Sequence, residues 1–350
     1  MRQTTRRSVV VALGAAALSV ALGAGSAQAD PGAGITPAAT DIVGVGSDTT
    51  EFVVQDLVDL WNTTHTPKAY SFHATGTSPI TTKSGCASIT RPNGSSAGIT
   101  ALLNTAAVGG NDCVDFARSS RAITAAEDAT LDAYAFATDG LRIAVPRDND
   151  GAGSDVASNK PASLVLNTAN LAILYRCQAD IAGSNADFDG VEEWSDLVAG
   201  ATGTPRPMIP QAGSGTRSFF LQATGLTEAD LLTQSEGGCV QEVQEHDATP
   251  VNANAGAFAP FSTARFVSTV APVKTADNGT NKPINLLGDN IPSGDNAAHF
   301  SATRQVFNVA KTSKSGTGTN LRAFLNWITT DAGACSVIKS NGFTPVNNIC

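Results

Sequence analysis

The segment Gly213-Ser214-Gly215-Thr216-Arg217 carries the densest set of anion-binding groups in the chain. Its two glycines let the backbone approach a ligand closely, Ser214 and Thr216 add hydroxyl donors, and Arg217 offers a charged fork. A helix beginning near Ser218-Phe219-Phe220 turns free N–H groups toward the same point. Three further loops share this chemistry: Gly46-Ser47-Asp48-Thr49-Thr50, Gly94-Ser95-Ser96 and Arg118-Ser119-Ser120-Arg121. Taken singly, turn and helix-cap chemistry explains each of them as well as binding does. Four such loops at the ends of strand-like runs point together to a seat for a small oxyanion.

The elements around these loops set their geometry. Ile42-Val43-Gly44-Val45 reads as a buried strand, and Val54, Leu57, Val58 and Trp61 recur at helical spacing beyond its loop. Ile99, Leu102 and Leu103 follow Gly94-Ser95-Ser96 in the same manner, and Cys113 to Ala117 reads as a strand leading into Arg118. Leu141 to Val145, Pro207 to Pro210 and Gln305 to Ala310 are further strands. Leu166 to Tyr175, the Trp194 region and the run containing Leu321, Phe324, Leu325 and Ile328 are helical. Strands alternating with helices predict α/β layers on a largely parallel sheet, in which ligands bind beyond the carboxyl ends of strands.

Bulk properties narrow the function. Arg2, Arg6 and Arg7 precede an apolar run ending at Ala27-Gln28-Ala29, the pattern of a signal peptide over 1–29 cleaved after Ala29. No cysteine stands at that point, so a secreted protein with no lipid anchor and no membrane insertion is expected. Loss of the leader deepens the formal charge from −9 to −12, which excludes a basic footprint for nucleic acid. An anion site here relies on local donors. About 320 remaining residues exceed what one core supports, so two lobes are expected. Six cysteines in an exported chain suit three disulfides; of fifteen connectivities the sequential one, Cys86–Cys113, Cys177–Cys239 and Cys335–Cys350, closes the most local segments. No CxxC spacing or His/Cys cluster appears, so no zinc or other metal site and no cofactor is expected.

The order and spacing of the polar loops resemble the periplasmic-type phosphate-binding proteins of phosphate ABC transporters, from about Asp41 to the C-terminus. Gly44-Val45-Gly46-Ser47-Asp48-Thr49-Thr50 is similar to that family's first phosphate loop, with an apparent insertion. Gly94-Ser95-Ser96-Ala97-Gly98 is similar to its Gly-Ser-Ser-Gly loop, and Gly213 to Thr216 match its Gly-Ser-Gly-Thr loop outright. The resemblance implies a two-lobed periplasmic-binding-protein type II fold with a two-stranded hinge. Lobe I would comprise residues 31–142 and 299–350, and lobe II residues 143–298. It implies a monomeric, non-enzymatic protein that holds inorganic phosphate or a related oxyanion for an ABC permease. The resemblance places Ser95, Ser120 and Gly213, Ser214, Gly215 and Thr216 at the ligand, with Thr49 and Thr50 competing for the first loop's hydroxyl role. Asp48 and Arg217 join the expected ligand residues as substitutes for two family residues that are missing here.

Two positions depart from the family pattern. Ser120 stands where the family places an Asp that accepts the proton of hydrogen phosphate, and Pro210 stands where it places an Arg. Arg217 is the candidate replacement for that charge and Asp48 for that acid. A carboxylate acceptor matters because it repels a sulfate that has no proton to donate. Two other readings compete. A secreted hydrolase would use Ser214 with His246 and Asp247, but the Gly-x-Ser-x-Gly elbow is absent. An extracellular interaction protein would reuse the fold without transport.

Overall fold

The computed structural model describes residues 30–32, 34–147, 158–177, 193–231, 233–236, 238–270, 273–274, 284–288 and 298–350; the leader expected over 1–29 lies outside them. The chain opens with β1 (Ile42–Gly46), α1 (Glu51–Thr64), β2 (Ala69–Ser71), α2 (Ser95–Asn104), β3 (Phe116–Ser119), α3 (Ala125–Asp128) and β4 (Leu131–Pro146). It continues with α4 (Thr168–Tyr175), β5 (Arg206–Pro210), α5 (Gly215–Thr224), β6 (Gln241–Val243), α6 (Thr249–Asn252), β7 (Ala257–Ser262), α7 (Thr263–Ser268), β8 (Thr269–Val270) and β9 (Val273–Lys274). It ends with β10 (Ile284–Leu286), β11 (Ala302–Lys311), α8 (Asn320–Thr330), α9 (Ala332–Ser340) and β12 (Thr344–Pro345).

Ten strands form one sheet in the order β2-β1-β3-β11-β4-β7-β5-β6, with β10 and β12 also on β4. The largely parallel sheet expected from strand–helix alternation is not what forms. Among the described strands, parallel pairs occur only toward the two ends, β1 with β2 and β3, and β5 with β6 and β7. The centre is antiparallel: β11 pairs with β3 and β4, and β4 with β7. The cause is the length of β4 and β11, which run side by side through the middle and separate the parallel units. Leu141 to Val145 is therefore only the last part of a 16-residue strand.

Apolar side chains gather at both ends of this sheet. Toward β1, Val53, Val54, Leu57, Val58 and Trp61 of α1 are buried with Phe324, Leu325 and Ile328 of α8, while Val43, Val45, Ile99 and Leu102 fill the other face. Toward β5, Leu141 and Ile143 of β4 pack with Leu171, Tyr175, Ile209, Phe220 and Phe258. The helical spacing of α1 explains its burial: one stripe faces the sheet and the rest faces out. The three disulfides are the sequential ones, Cys86–Cys113, Cys177–Cys239 and Cys335–Cys350. Among the described residues no helix is long and apolar enough to cross a membrane.

Candidate functional site

Helices α1, α2 and α5 each begin directly after a polar loop, and the three loops meet where the two ends of the sheet face each other. Ser95 opens α2 behind Gly94, whose φ of 98° suits glycine. Ser214 caps α5, its hydroxyl accepting from the Arg217 N–H at 3.1 Å. Ser47, Thr49, Thr50, Ser95, Ser120, Ser214 and Thr216 are all buried. The Ser47 hydroxyl donates to Ser120 Oγ at 3.1 Å, Ser95 Oγ lies 3.3 Å from Ser120 Oγ, and the Ser120 N–H donates to Ser95 Oγ at 3.0 Å. Gly215 sits against this serine trio: a β-carbon there would fall 2.2 Å from Ser120 Oγ and 2.4 Å from Ser95 Oγ. Only glycine lets the first turn of α5 come so close.

The seam between the two ends is closed by hydrogen bonds. The Ser96 N–H donates to the Gly213 carbonyl at 3.1 Å, and Asn93 exchanges amide bonds with Gln211 and Gln244. Thr49 Oγ1 lies 3.3 Å from Thr216 Oγ1 and donates to Glu245 Oε1 at 3.0 Å, which also accepts from the Thr216 N–H at 3.3 Å. A carboxylate thus rests at the start of α5, where the helix dipole and free N–H groups favour negative charge.

Positive charge reaches this point from a residue that the sequence reading did not single out. Arg304 Nη2 on β11 donates to Thr216 Oγ1 at 2.8 Å and lies 3.4 Å from Thr49 Oγ1. The same guanidinium is held by Asp139, its register partner on β4, through bonds of 2.9 and 3.2 Å. Asp139 in turn accepts from Ser262 Oγ at 2.8 Å and the Ala264 N–H at 3.3 Å. Arg217 is not brought to the cluster. Its guanidinium is taken by Glu228, Glu242 and the Pro210 carbonyl, and these carboxylates raise its pKa against the effect of burial. Adjacent helical positions diverge by about 100°, so Thr216 and Arg217 point to different sides.

Asp48 does not cap α1: Thr50 holds the cap position, and no side-chain cap bond forms there. Asp48 Oδ1 instead lies 2.9 Å from His246 Nδ1 and 3.6 Å from Arg265 Nη2. Burial pushes the Asp48 carboxyl up to about 7, with Arg265 opposing. Burial likewise lowers His246 to about 3, so its ring is neutral near pH 7. Arg265 also reaches the Asp48 carbonyl and Glu51, and lies 4.4 Å over the Phe52 ring. For Glu51, burial is outweighed by the His73 and Arg265 interactions, which bring it down to about 2. Arg118 is buried and spends its donors on the Gly46 and Ser47 carbonyls and Ser71 Oγ, pinning the first loop from below. Arg121 pairs with Glu127 and touches Ser96 Oγ.

The structure therefore brings Thr49, Ser95, Ser120, Gly213, Ser214, Gly215 and Thr216 to one seam, with Asp48 and Thr50 beside it and Arg217 apart. Arg304, Glu245 and Asp139 were missed because nothing local in the sequence marks them. The faint signal for Arg304 and Asp139 is a charged residue inside a strand that is otherwise half apolar.

Comparison with known families matches residues 31–332 to the PBP superfamily domain. No curated protein matches. Among solved structures, a protein from Clostridium perfringens assigned as a phosphate ABC transporter substrate-binding protein, with bound phosphate, is 14% identical. That match covers 88% of this chain and 100% of that one, with a TM-score of 0.53. An ABC-type phosphate transport receptor from Vibrio cholerae is 20% identical over 87% of this chain and 99% of that one, with a TM-score of 0.49. The chain belongs to the PBP superfamily and has the two-lobed type II fold of its solute-binding proteins.

Proposed function

We propose that this protein captures inorganic phosphate, or a closely related tetrahedral oxyanion, between its lobes and delivers it to an ABC permease after secretion. The carrying observation is the convergence of three helix starts, the Ser47, Thr49, Ser95, Ser120 and Thr216 hydroxyls, and Arg304 on one buried seam. Lobe I is taken as residues 31–142 and 299–350, lobe II as 143–298, with β4 and β11 as the hinge. In this reading the ligand takes donors from Thr49, Thr50, Ser95, Ser120 and the Gly213–Thr216 loop, and its charge is met by Arg304 in place of Arg217. A charge-assisted bond nets roughly 1.5–3 kcal/mol. Six of them exceed the roughly 8 kcal/mol that micromolar binding needs, leaving a surplus for closing the lobes. Glu245 already accepts from Thr49 and Thr216 and is the acid nearest those donors, whereas Asp48 is engaged by His246 and Arg265.

The test is calorimetric titration of phosphate and sulfate into leader-free protein stripped of ligand by unfolding and refolding. Phosphate is expected to bind with micromolar or tighter affinity, and Thr216→Ala to weaken it at least tenfold. No heat from either anion would end this reading. Equal affinity in Thr216→Ala would remove the seam as the binding site.

A further inference from the structure

Asp48, Glu245 and His246 come together across the seam, one from the loop after β1 and two from the loop after β6. One ligand atom of each lies within 4.8 Å of the other two, and all three residues are buried. Asp48 Oδ1 and His246 Nδ1 are 2.9 Å apart, a spacing that neighbouring ligands on one metal ion also adopt. Glu245 Oε2 is buried with no hydrogen-bond partner, and His246 Nε2 is likewise unpartnered. The two imidazole nitrogens diverge, so an ion shared with Asp48 takes Nδ1, and Glu245 Oε2 is the orphaned atom it satisfies. Such atoms are costly to bury and call for a partner. His246 is moreover held at φ 58°, in the left-handed region, with its ring 5.0 Å from that of Phe261. Strained backbone of this kind persists where the surroundings over-determine it, as at binding sites.

We propose that these three residues form a binding site for a divalent first-row transition ion that clasps the two lobes together. One imidazole nitrogen and two carboxylate oxygens are a donor set for borderline ions such as Zn²⁺ or Co²⁺. The acids Asp48, Glu51, Asp139 and Glu245 are buried in this region against Arg118, Arg265 and Arg304, a near balance that leaves no large positive excess to repel a cation. Asp139 is matched by Arg304, and Glu51 is shared by His73 and Arg265. Arg265 Nη2, 3.6 Å from Asp48 Oδ1, is the competitor, but it has other partners in Glu51, the Asp48 carbonyl and the Phe52 ring. Glu245 spends Oε1 on Thr49 and Thr216, which leaves Oε2, unpartnered, for the ion. The cluster joins residues about 200 positions apart, so no sequence spacing announces it; the absence of a metal site expected from the sequence rested on local motifs.

The experiment is titration of Co²⁺, and separately Zn²⁺, into chelator-treated protein in phosphate-free buffer, read by calorimetry and by the visible absorption of Co²⁺. One equivalent is expected to bind, with His246→Gln and Glu245→Gln each weakening it at least tenfold. Asp247→Asn, which leaves the three ligands intact, is expected to bind as wild type. No stoichiometric binding by the wild type overturns the proposal, whether or not a variant folds. So does binding that survives undiminished in both ligand variants. The result does not depend on the oxyanion reading, since a protein that takes cobalt and ignores phosphate keeps this site and loses that function.

Discussion

Arg304→Met removes a guanidinium whose side chain is 2% exposed and whose partner Asp139 is fully buried. Two effects follow, and they separate. Breaking a buried pair from one side leaves an uncompensated carboxylate, at about 3–5 kcal/mol. The Ser262 hydroxyl and Ala264 N–H still reach Asp139 Oδ1, which places the loss toward the lower figure. Oxyanion affinity falls independently, because the bond from Nη2 to the Thr216 hydroxyl and the nearest positive charge disappear together. One charge-assisted contact is worth roughly 1.5–3 kcal/mol, about a 10- to 150-fold weaker dissociation constant. Adding Asp139→Asn removes the stranded charge and keeps the oxygen for Ser262 and Ala264. The double variant should therefore regain about half of the lost stability while its phosphate affinity stays low. Denaturant midpoints by circular dichroism and calorimetric phosphate titration on all four proteins complete the cycle. A folded Arg304→Met protein that binds phosphate within threefold of wild type would refute the assignment of Arg304 as the ligand's counter-charge. A double variant no more stable than Arg304→Met would refute the ion-pair argument.

Glu245→Gln should raise the sulfate-to-phosphate affinity ratio, since it removes the carboxylate beside Thr49 and Thr216, and Asp48→Asn should leave it unchanged; competition titration measures both. Glu51 is held near 2 against an ordinary 4.5, so its contribution is present above 4.5 and lost as pH falls toward 2. Its ceiling is roughly 3 kcal/mol, and Glu51→Gln should flatten acid unfolding in that window, read as midpoint against pH. Removing Cys177–Cys239, which spans 62 residues, should destabilise more than removing Cys335–Cys350, which spans 15. Loop entropy gives roughly 4 against 3 kcal/mol, and paired Cys→Ser variants compared by thermal melting check the order.

The parts of the site that lie on one strand–loop–helix unit were legible in the sequence. Ile42 to Thr50 and Pro207 to Thr216 show an apolar strand ending in hydroxyls and glycine before a helix, and both form as such. What escaped is the pairing of residues far apart in the chain. Arg304 meets Thr216 across 88 positions and Thr49 meets Glu245 across 196, contacts that exist only once two long strands lie side by side. The same cause hid most of β4, whose Asp132, Asp139 and Gly140 break the apolar alternation by which a strand is recognised. Arg217 shows the reverse failure, in which closeness in sequence suggested closeness in space. The rotation of one helical step carried its charge to Glu228 and Glu242 instead.

The arrangement of α1 against the last two helices has a consequence for the order of folding. Trp61 of α1 lies 5.3 Å from Phe324 and 5.4 Å from Trp327 of α8, and Asn341 at the end of α9 donates to Asp56. The body that starts at β1 thus lacks β11, α8 and α9 until residues 302–340 are present. A growing chain exposes the apolar stripe of α1 until β11, α8 and α9 have followed it, so this unit is begun before the β5 end of the sheet and completed after it. Such late closure leaves apolar surface uncovered in the partial chain, and a chain truncated before β11 should aggregate rather than yield a free-standing N-terminal piece.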